Sequence, residues 1–174
     1  MALMPEGDLS MAERITLAPL TPDDREAFIR ENLAAFQDSA EEISRHTVEV
    51  VLDAAETQAY RILLDGAKVG GMVVMTERRR GTLLLLFVDP AYHSRGIGTA
   101  AWRAVEAQYP EIDVWETCTP YDDKRNIHFY VNRCGFQIVE FFCAVHPDPL
   151  CDPDAPPAGP QEMFRFEKIM RKRP

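Results

Sequence analysis

Between residues 84 and 101 the chain reads Leu-Leu-Leu-Phe-Val-Asp-Pro-Ala-Tyr-His-Ser-Arg-Gly-Ile-Gly-Thr-Ala-Ala, and few folds accommodate that order. Residues 82–88 are apolar enough for a strand buried on both faces. Asp89-Pro90 stops it, and a glycine-containing loop over residues 91–98 opens a helix running to about Gln108. Ile97, Ala101 and Val105 recur at helical spacing, so this helix packs firmly and holds its N-terminus rigid. The first N–H groups of a helix have no intrahelical partner, and the helix dipole adds partial positive charge there. Gly96 and Gly98 let a bulky phosphate approach those donors, and Arg95 sets a cation beside them. The segment predicts an anion site, with pyrophosphate its natural guest.

Around this unit the periodicity predicts a short strand over residues 13–17. Thr21-Pro22-Asp23-Asp24 then supplies a helix start, and Phe28, Ile29, Leu33 and Phe36 give that helix an apolar stripe. An acidic break over residues 38–42 precedes a second helical stretch with Val48, Val51 and Leu52. Strands over residues 60–64 and 69–75 are joined by Asp65-Gly66, a strong hairpin signal, and residues 77–81 form another turn. Past the glycine helix come a strand over residues 112–118, a helix over residues 126–134 stopped by Gly135, and a strand over residues 137–145. Residues 147–160 hold six prolines and are not regular structure. A last strand covers residues 162–170. One α+β domain over residues 11–174, with a mixed sheet flanked by helices, accounts for this order, behind a flexible N-terminal extension over residues 1–10.

Two motifs in this order resemble the signatures of the GNAT superfamily of N-acetyltransferases. Val88-Asp-Pro followed by His93-Ser-Arg-Gly-Ile-Gly-Thr-Ala100 is similar to its acetyl-CoA-binding motif, V-x-P and then Q/R-x-x-G-x-G/A. Asn126-Ile-His-Phe-Tyr-Val-Asn-Arg-Cys-Gly-Phe136 is similar to its second signature of Asn, then Tyr, then Gly-Phe. The resemblance spans residues 13–170 and implies a GNAT-like acyl-CoA N-acyltransferase fold. It further implies an acetyl group moved from acetyl-CoA, as cosubstrate, to a primary amine of a small molecule or peptide by direct attack. The strand at Leu85–Val88, with Phe87 and Val88, would offer backbone groups to the pantetheine arm. Arg95, Gly96, Ile97, Gly98, Thr99 and Ala100 would wrap the pyrophosphate. Asn126 would contact the pantetheine or phosphate region, and Tyr130 would protonate the departing thiolate. Two positions depart from the pattern. His93 stands where the family has Gln or Arg, and Tyr130 lies five residues before Gly135 instead of four, with Val131 in the usual place. One residue on a helix is about 100° of rotation. Tyr130 also belongs to an apolar stripe with Ile127, Val131 and Cys134, as a core residue would.

Acyl transfer from a thioester to an amine needs a neutral amine, a polarised carbonyl and a proton for the leaving thiolate. A strand N–H near Val88 can stabilise the oxyanion, and a phenol, with a reference pKa of about 10, remains protonated to act as the acid. Glu116, a carboxylate in an otherwise apolar strand, is the leading candidate to take the amine's proton, ahead of Asp122 and Asp123. Two other readings compete. Gly96-x-Gly98-x-x-Ala101 with Glu116 also matches an NAD(P)-binding oxidoreductase fingerprint. A non-catalytic acyl-CoA-binding regulatory module would share the fold.

The net charge of −9 disfavours nucleic acid, whose phosphates it repels, and suits a cationic amine. The family's acceptor pocket would here include Glu31, Asp38, Glu41 and Glu42, and residues 147–160 would cover that pocket or form a homodimer contact. No apolar run reaches membrane-spanning length, and the first ten residues lack the pattern of a secretory signal. The four cysteines (Cys118, Cys134, Cys143, Cys151) show no C-x-x-C pairing, and the four histidines show no ligand spacing with them. A cytoplasmic protein with reduced thiols and no metal is the expectation, with Cys118, Cys134 and Cys143 as small core residues.

Overall fold

The computed structural model describes residues 9–37, 43–149 and 162–170. Its elements are α1 (Met11–Arg14), β1 (Ile15–Pro19), α2 (Arg25–Phe36), α3 (Arg45–Asp53), β2 (Thr57–Leu64), β3 (Ala67–Glu77), β4 (Arg80–Val88), α4 (Ile97–Gln108), β5 (Val114–Pro120), α5 (Lys124–His128), β6 (Gln137–Phe142) and β7 (Met163–Ile169). The strands form one sheet in the order β1-β2-β3-β4-β5-β7-β6. Every pairing is antiparallel except β4 with β5.

Local chemistry explains most boundaries. Asp65 and Gly66 both have positive φ (49° and 84°), as a tight hairpin turn between β2 and β3 requires. The residues expected as a longer turn, 77–81, instead extend β3 and β4, leaving Arg78-Arg79 at the tip. At the start, Glu13 is not in a strand. Ser10 and Glu13 form a reciprocal capping box, which winds residues 11–14 into one helical turn before β1. The expected strand over 137–145 ends at Phe142, where Cys143 and His146 bridge back on each other.

Helices α1 and α4 cover one face of the sheet together with the helical segment from Lys124 to Cys134, and α2 and α3 cover the other. Each face has its own core. The larger contains Trp102, Trp115, Phe136, Phe166, Ile97 and Val74, and the smaller contains Phe28, Ile29, Val48, Val73, Leu85 and Phe87. The run of leucines in β4 serves both, since side chains alternate along a strand, and a bulge shifts which leucine faces which core: Val74 pairs with Leu83 and Val73 with Leu85, so Leu84 is an extra residue. The parity of β4 reverses there. Leu83 faces the larger core, Leu85 and Phe87 the smaller.

One residue of α2 breaks its apolar stripe. Asn32 is fully buried, and neither its amide nitrogen nor its amide oxygen has a hydrogen-bond partner. Two unpaired polar atoms held from water oppose folding. Asn32→Leu, similar in size and without polar atoms, is expected to raise stability by about 1–3 kcal/mol, seen as a higher thermal midpoint. A lower midpoint would mean that the amide is satisfied in solution. Nearby, Arg61 is buried beside Phe28, its Nε donating to Asp24 at 2.5 Å and its Nη1 to Glu31 at 2.5 Å. The guanidinium holds the Asp24 carboxyl below its ordinary value of 3.8.

Candidate active site

Parallel pairing of β4 with β5 covers only Arg80–Val114, Gly81–Trp115 and Thr82–Glu116. Beyond Thr82 the strands separate, and the hydroxyl of Thr117 donates to the carbonyl of Leu83 at 3.0 Å, closing the apex of the gap. The β4 bulge at Leu84 lies just past that apex, and Phe87 and Val88 end the free side of β4. Among the described residues the structure thus leaves β4 unpaired beyond Thr82 on the β5 side, a cleft along the stretch for which the family resemblance implies contact with the cofactor's arm.

At the open end of the cleft stands the predicted anion site. Asp89 Oδ1 accepts from the Ala91 N–H at 2.9 Å and starts a short 3₁₀ turn over Pro90–Tyr92. Ser94 (φ 64°) and Gly96 (φ 78°) then take left-handed conformations. For Ser94 that costs about 1–3 kcal/mol, a strain that clusters at functional sites. Gly96 is the N-cap of α4 rather than part of its first turn, and its carbonyl accepts from the Ala100 N–H at 3.0 Å. The N–H groups of Ile97, Gly98 and Thr99 are left without an intrahelical partner. A Cβ on Gly98 would lie 3.2 Å from the Phe129 ring, so glycine lets the start of α4 sit close against Phe129. The guanidinium of Arg95 lies over the Tyr92 ring at 5.4 Å. This array of donors, open backbone and adjacent cation suits a pyrophosphate.

The opposite wall carries the second motif. Asp123 caps α5 by accepting from the Asn126 N–H at 3.0 Å, and the Asn126 amide donates to Thr119 Oγ1 at 3.3 Å, which fixes Asn126 beside the end of β5. The helix after α5 is not α-helical. Phe129–Cys134 is π-helical, and the Gly135 N–H reaches back five residues to the Tyr130 carbonyl. A π turn holds one residue more than an α turn, so the extra residue between Tyr130 and Gly135 is taken up by underwinding. Tyr130 is 8% exposed, with its ring against Phe129, Phe136 and Phe166 at 5.4, 5.8 and 5.5 Å. Its ring body is therefore a core element, as the apolar stripe suggested.

Glu116 occupies the last parallel pair, beside the apex, on the sheet face opposite Trp115 and Thr117. Its carboxylate accepts from Arg165 Nη1 at 3.0 Å and from Arg80 Nη2, and both arginines also bind Glu167. Sequence reasoning missed this network, because its members lie up to 87 residues apart. Glu31 pairs with Arg61 through Oε2 while its side chain stays 43% exposed, and Asp38, Glu41, Glu42, Cys151 and most of residues 147–160 lie outside the described residues. Cys134 is buried, which pushes its thiol up to about 12. Cys118 is exposed instead of lying in the core, because Thr117 and Thr119 take the buried face of β5. Among the described residues no group of three or more His, Cys, Asp or Glu is arranged to hold a metal, and no helix is long and apolar enough to cross a membrane.

A mixed sheet split between β4 and β5, with a glycine-lined helix N-terminus at the mouth, is the framework of an acyl-CoA-dependent acyltransferase. The sequence model of the acetyltransferase (GNAT) family matches residues 20–136, and the chain belongs to that family. The uncharacterized protein YrkN of Bacillus subtilis (strain 168) is 46% identical over 137 residues, covering 75% of this chain and 74% of YrkN. Among solved structures, the ribosomal-protein-S18-alanine N-acetyltransferase from Escherichia coli superposes with a TM-score of 0.70 at 15% identity, over 92% of this chain and 96% of that one. A GNAT family acetyltransferase from Elizabethkingia anophelis with acetyl-CoA bound gives 0.65 at 16% identity, over 91% and 99%. These two share the fold. The dinucleotide reading does not survive it, since a Rossmann sheet is mostly parallel and the sheet of the described residues has a single parallel pair.

Proposed function

We propose that the protein transfers the acetyl group of acetyl-CoA to a primary amine by direct attack of the amine on the thioester. The observation that carries this reading is the cleft itself: β4 freed from β5 beyond Thr82, leading to the unpaired N–H groups of Ile97, Gly98 and Thr99. Arg95, Gly96, Ile97, Gly98, Thr99 and Ala100 hold the pyrophosphate, while the backbone of Phe87 and Val88 and the side chain of Asn126 hold the pantetheine arm. Acetyl-CoA supplies the activated acyl carbon. A β4 backbone N–H beside the cleft donates to the thioester oxygen as negative charge develops there. Tyr130 is the proposed acid: its phenol protonates the departing thiolate, and the π turn that absorbs the extra residue before Gly135 supports that assignment.

The amine arrives as ammonium and must lose a proton. Glu116 is the carboxylate at the apex, on the face away from the glycine helix, so it receives the proton directly or through a water that it holds. Arg80 and Arg165 keep its carboxylate in one orientation. The acceptor is an amine on a small molecule or a peptide, and the acidic balance of the chain favours a cationic one.

A panel of polyamines, aminoglycosides, lysine peptides and peptides with free N-termini, screened for thiol release from acetyl-CoA, tests the reading. Turnover is expected with at least one cationic amine. In Glu116→Gln that turnover should fall most at low pH and recover partly as pH rises, because more substrate then arrives neutral. Acetyl-CoA binding with no thiol release across the panel would favour the non-catalytic acyl-CoA-binding module.

A further inference from the structure

His93 stands where the family motif has Gln or Arg, and its ring makes two contacts that bridge the mouth of the cleft. Its Nε2 lies 2.7 Å from the Val88 carbonyl, the last residue of β4. Its Nδ1 lies 2.8 Å from Nη2 of Arg125, on α5. A carbonyl can only accept and a guanidinium can only donate. One form of the ring satisfies both contacts: the neutral tautomer with its proton on Nε2, donating to Val88 and accepting from Arg125.

The cleft is therefore pinned twice. Thr117 crosses to Leu83 at the closed end, and Arg125 crosses through His93 to Val88 at the open end. Between the pins, β4 has no backbone partner on the β5 side among the described residues. Arg125 is the residue before Asn126 and five before Tyr130, so whatever fixes Arg125 fixes the start of the helix that carries both. We infer that His93 is a positioning residue: in its Nε2-protonated form it ties α5 to the end of β4 and sets the width of the cleft that receives the acyl-CoA. This rests on the acetyl-CoA reading for its functional consequence, but not for the bridge itself.

The test combines two readouts on the full-length chain. The ¹⁵N imidazole spectrum of the wild type at neutral pH should show His93 protonated at Nε2 alone; an Nδ1-protonated or doubly protonated ring would overturn the bridge whether or not acetyl-CoA binds. Acetyl-CoA affinity is then measured for His93→Leu, Arg125→Ala, the double variant and His93→Gln. Each single loss should weaken binding by about tenfold, the scale of one charge-assisted hydrogen bond. The double variant should be no weaker than either single one, since both break the same link. His93→Gln should stay within about threefold of wild type, because an amide can also donate to Val88 and accept from Arg125. Additive losses, or a glutamine variant as weak as the leucine variant, would overturn the positioning role. A wild type with the expected tautomer but no affinity for acetyl-CoA would instead overturn the cofactor reading and, with it, the role in setting that cleft.

Discussion

Gly98→Val is expected to abolish acetyl-CoA binding while leaving the protein folded. A Cβ at this position already meets the Phe129 ring at 3.2 Å. Valine adds two further methyl groups at this tight contact, so α4 and Phe129 must move apart, displacing the turn whose Ile97, Gly98 and Thr99 N–H groups are proposed to hold the phosphates. Loss of even two hydrogen bonds to a charged group, each worth about 1.5–3 kcal/mol, corresponds to more than about a hundredfold in affinity. Titration calorimetry reads the loss, and circular dichroism with thermal unfolding checks the fold. Gly98→Ala provides the graded control: it needs Phe129 to shift by only a few tenths of an ångström, and it improves helix propensity by about 1 kcal/mol. Its affinity should lie between those of wild type and Gly98→Val. Full affinity in the valine variant would move the phosphate site away from this helix.

Tyr130→Phe is expected to lower kcat by about 10²–10⁴-fold, the usual contribution of a general acid or base, with acetyl-CoA affinity nearly unchanged. The ring contacts with Phe129, Phe136 and Phe166 survive the substitution, so the variant removes the proton and not the packing. A drop in kcat without a change in binding is what a group acting mainly in the transition state produces. An unchanged kcat would reduce Tyr130 to the core residue that its burial also describes. The two outcomes are well separated because a phenylalanine fits the same space.

Much of this architecture is legible in the sequence because it depends on local chemistry. Asp65-Gly66 dictates a hairpin through its need for positive φ, Asp89-Pro90 ends a strand, and the glycines before α4 announce an exposed helix N-terminus. The capping box of Ser10 and Glu13 is also local, yet the alternation of Ile15 and Leu17 extends the expected strand over it. The π turn leaves no compositional trace. Only the count of residues between Tyr130 and Gly135 hinted that the helix had to unwind. Contacts between distant residues were not legible at all. Nothing local pairs Arg61 with Glu31, joins Glu116 to Arg80 and Arg165, or sets His93 against Arg125, because each pairing depends on which strands become neighbours.

The bulge at Leu84 has a consequence for how such a chain can diversify. The sheet partitions two apolar compartments that share no side chain, and by reversing the parity of β4 the bulge decides which of its residues line each. Changes at sites far apart and without common partners add almost independently. Volume can therefore be exchanged among Phe28, Ile29, Val48 and Val73 on one side without disturbing how Ile97, Trp102 and Val105 seat the phosphate-binding helix on the other. A lineage built on this plan is free to reshape the α2–α3 compartment while the donor end of α4 stays put.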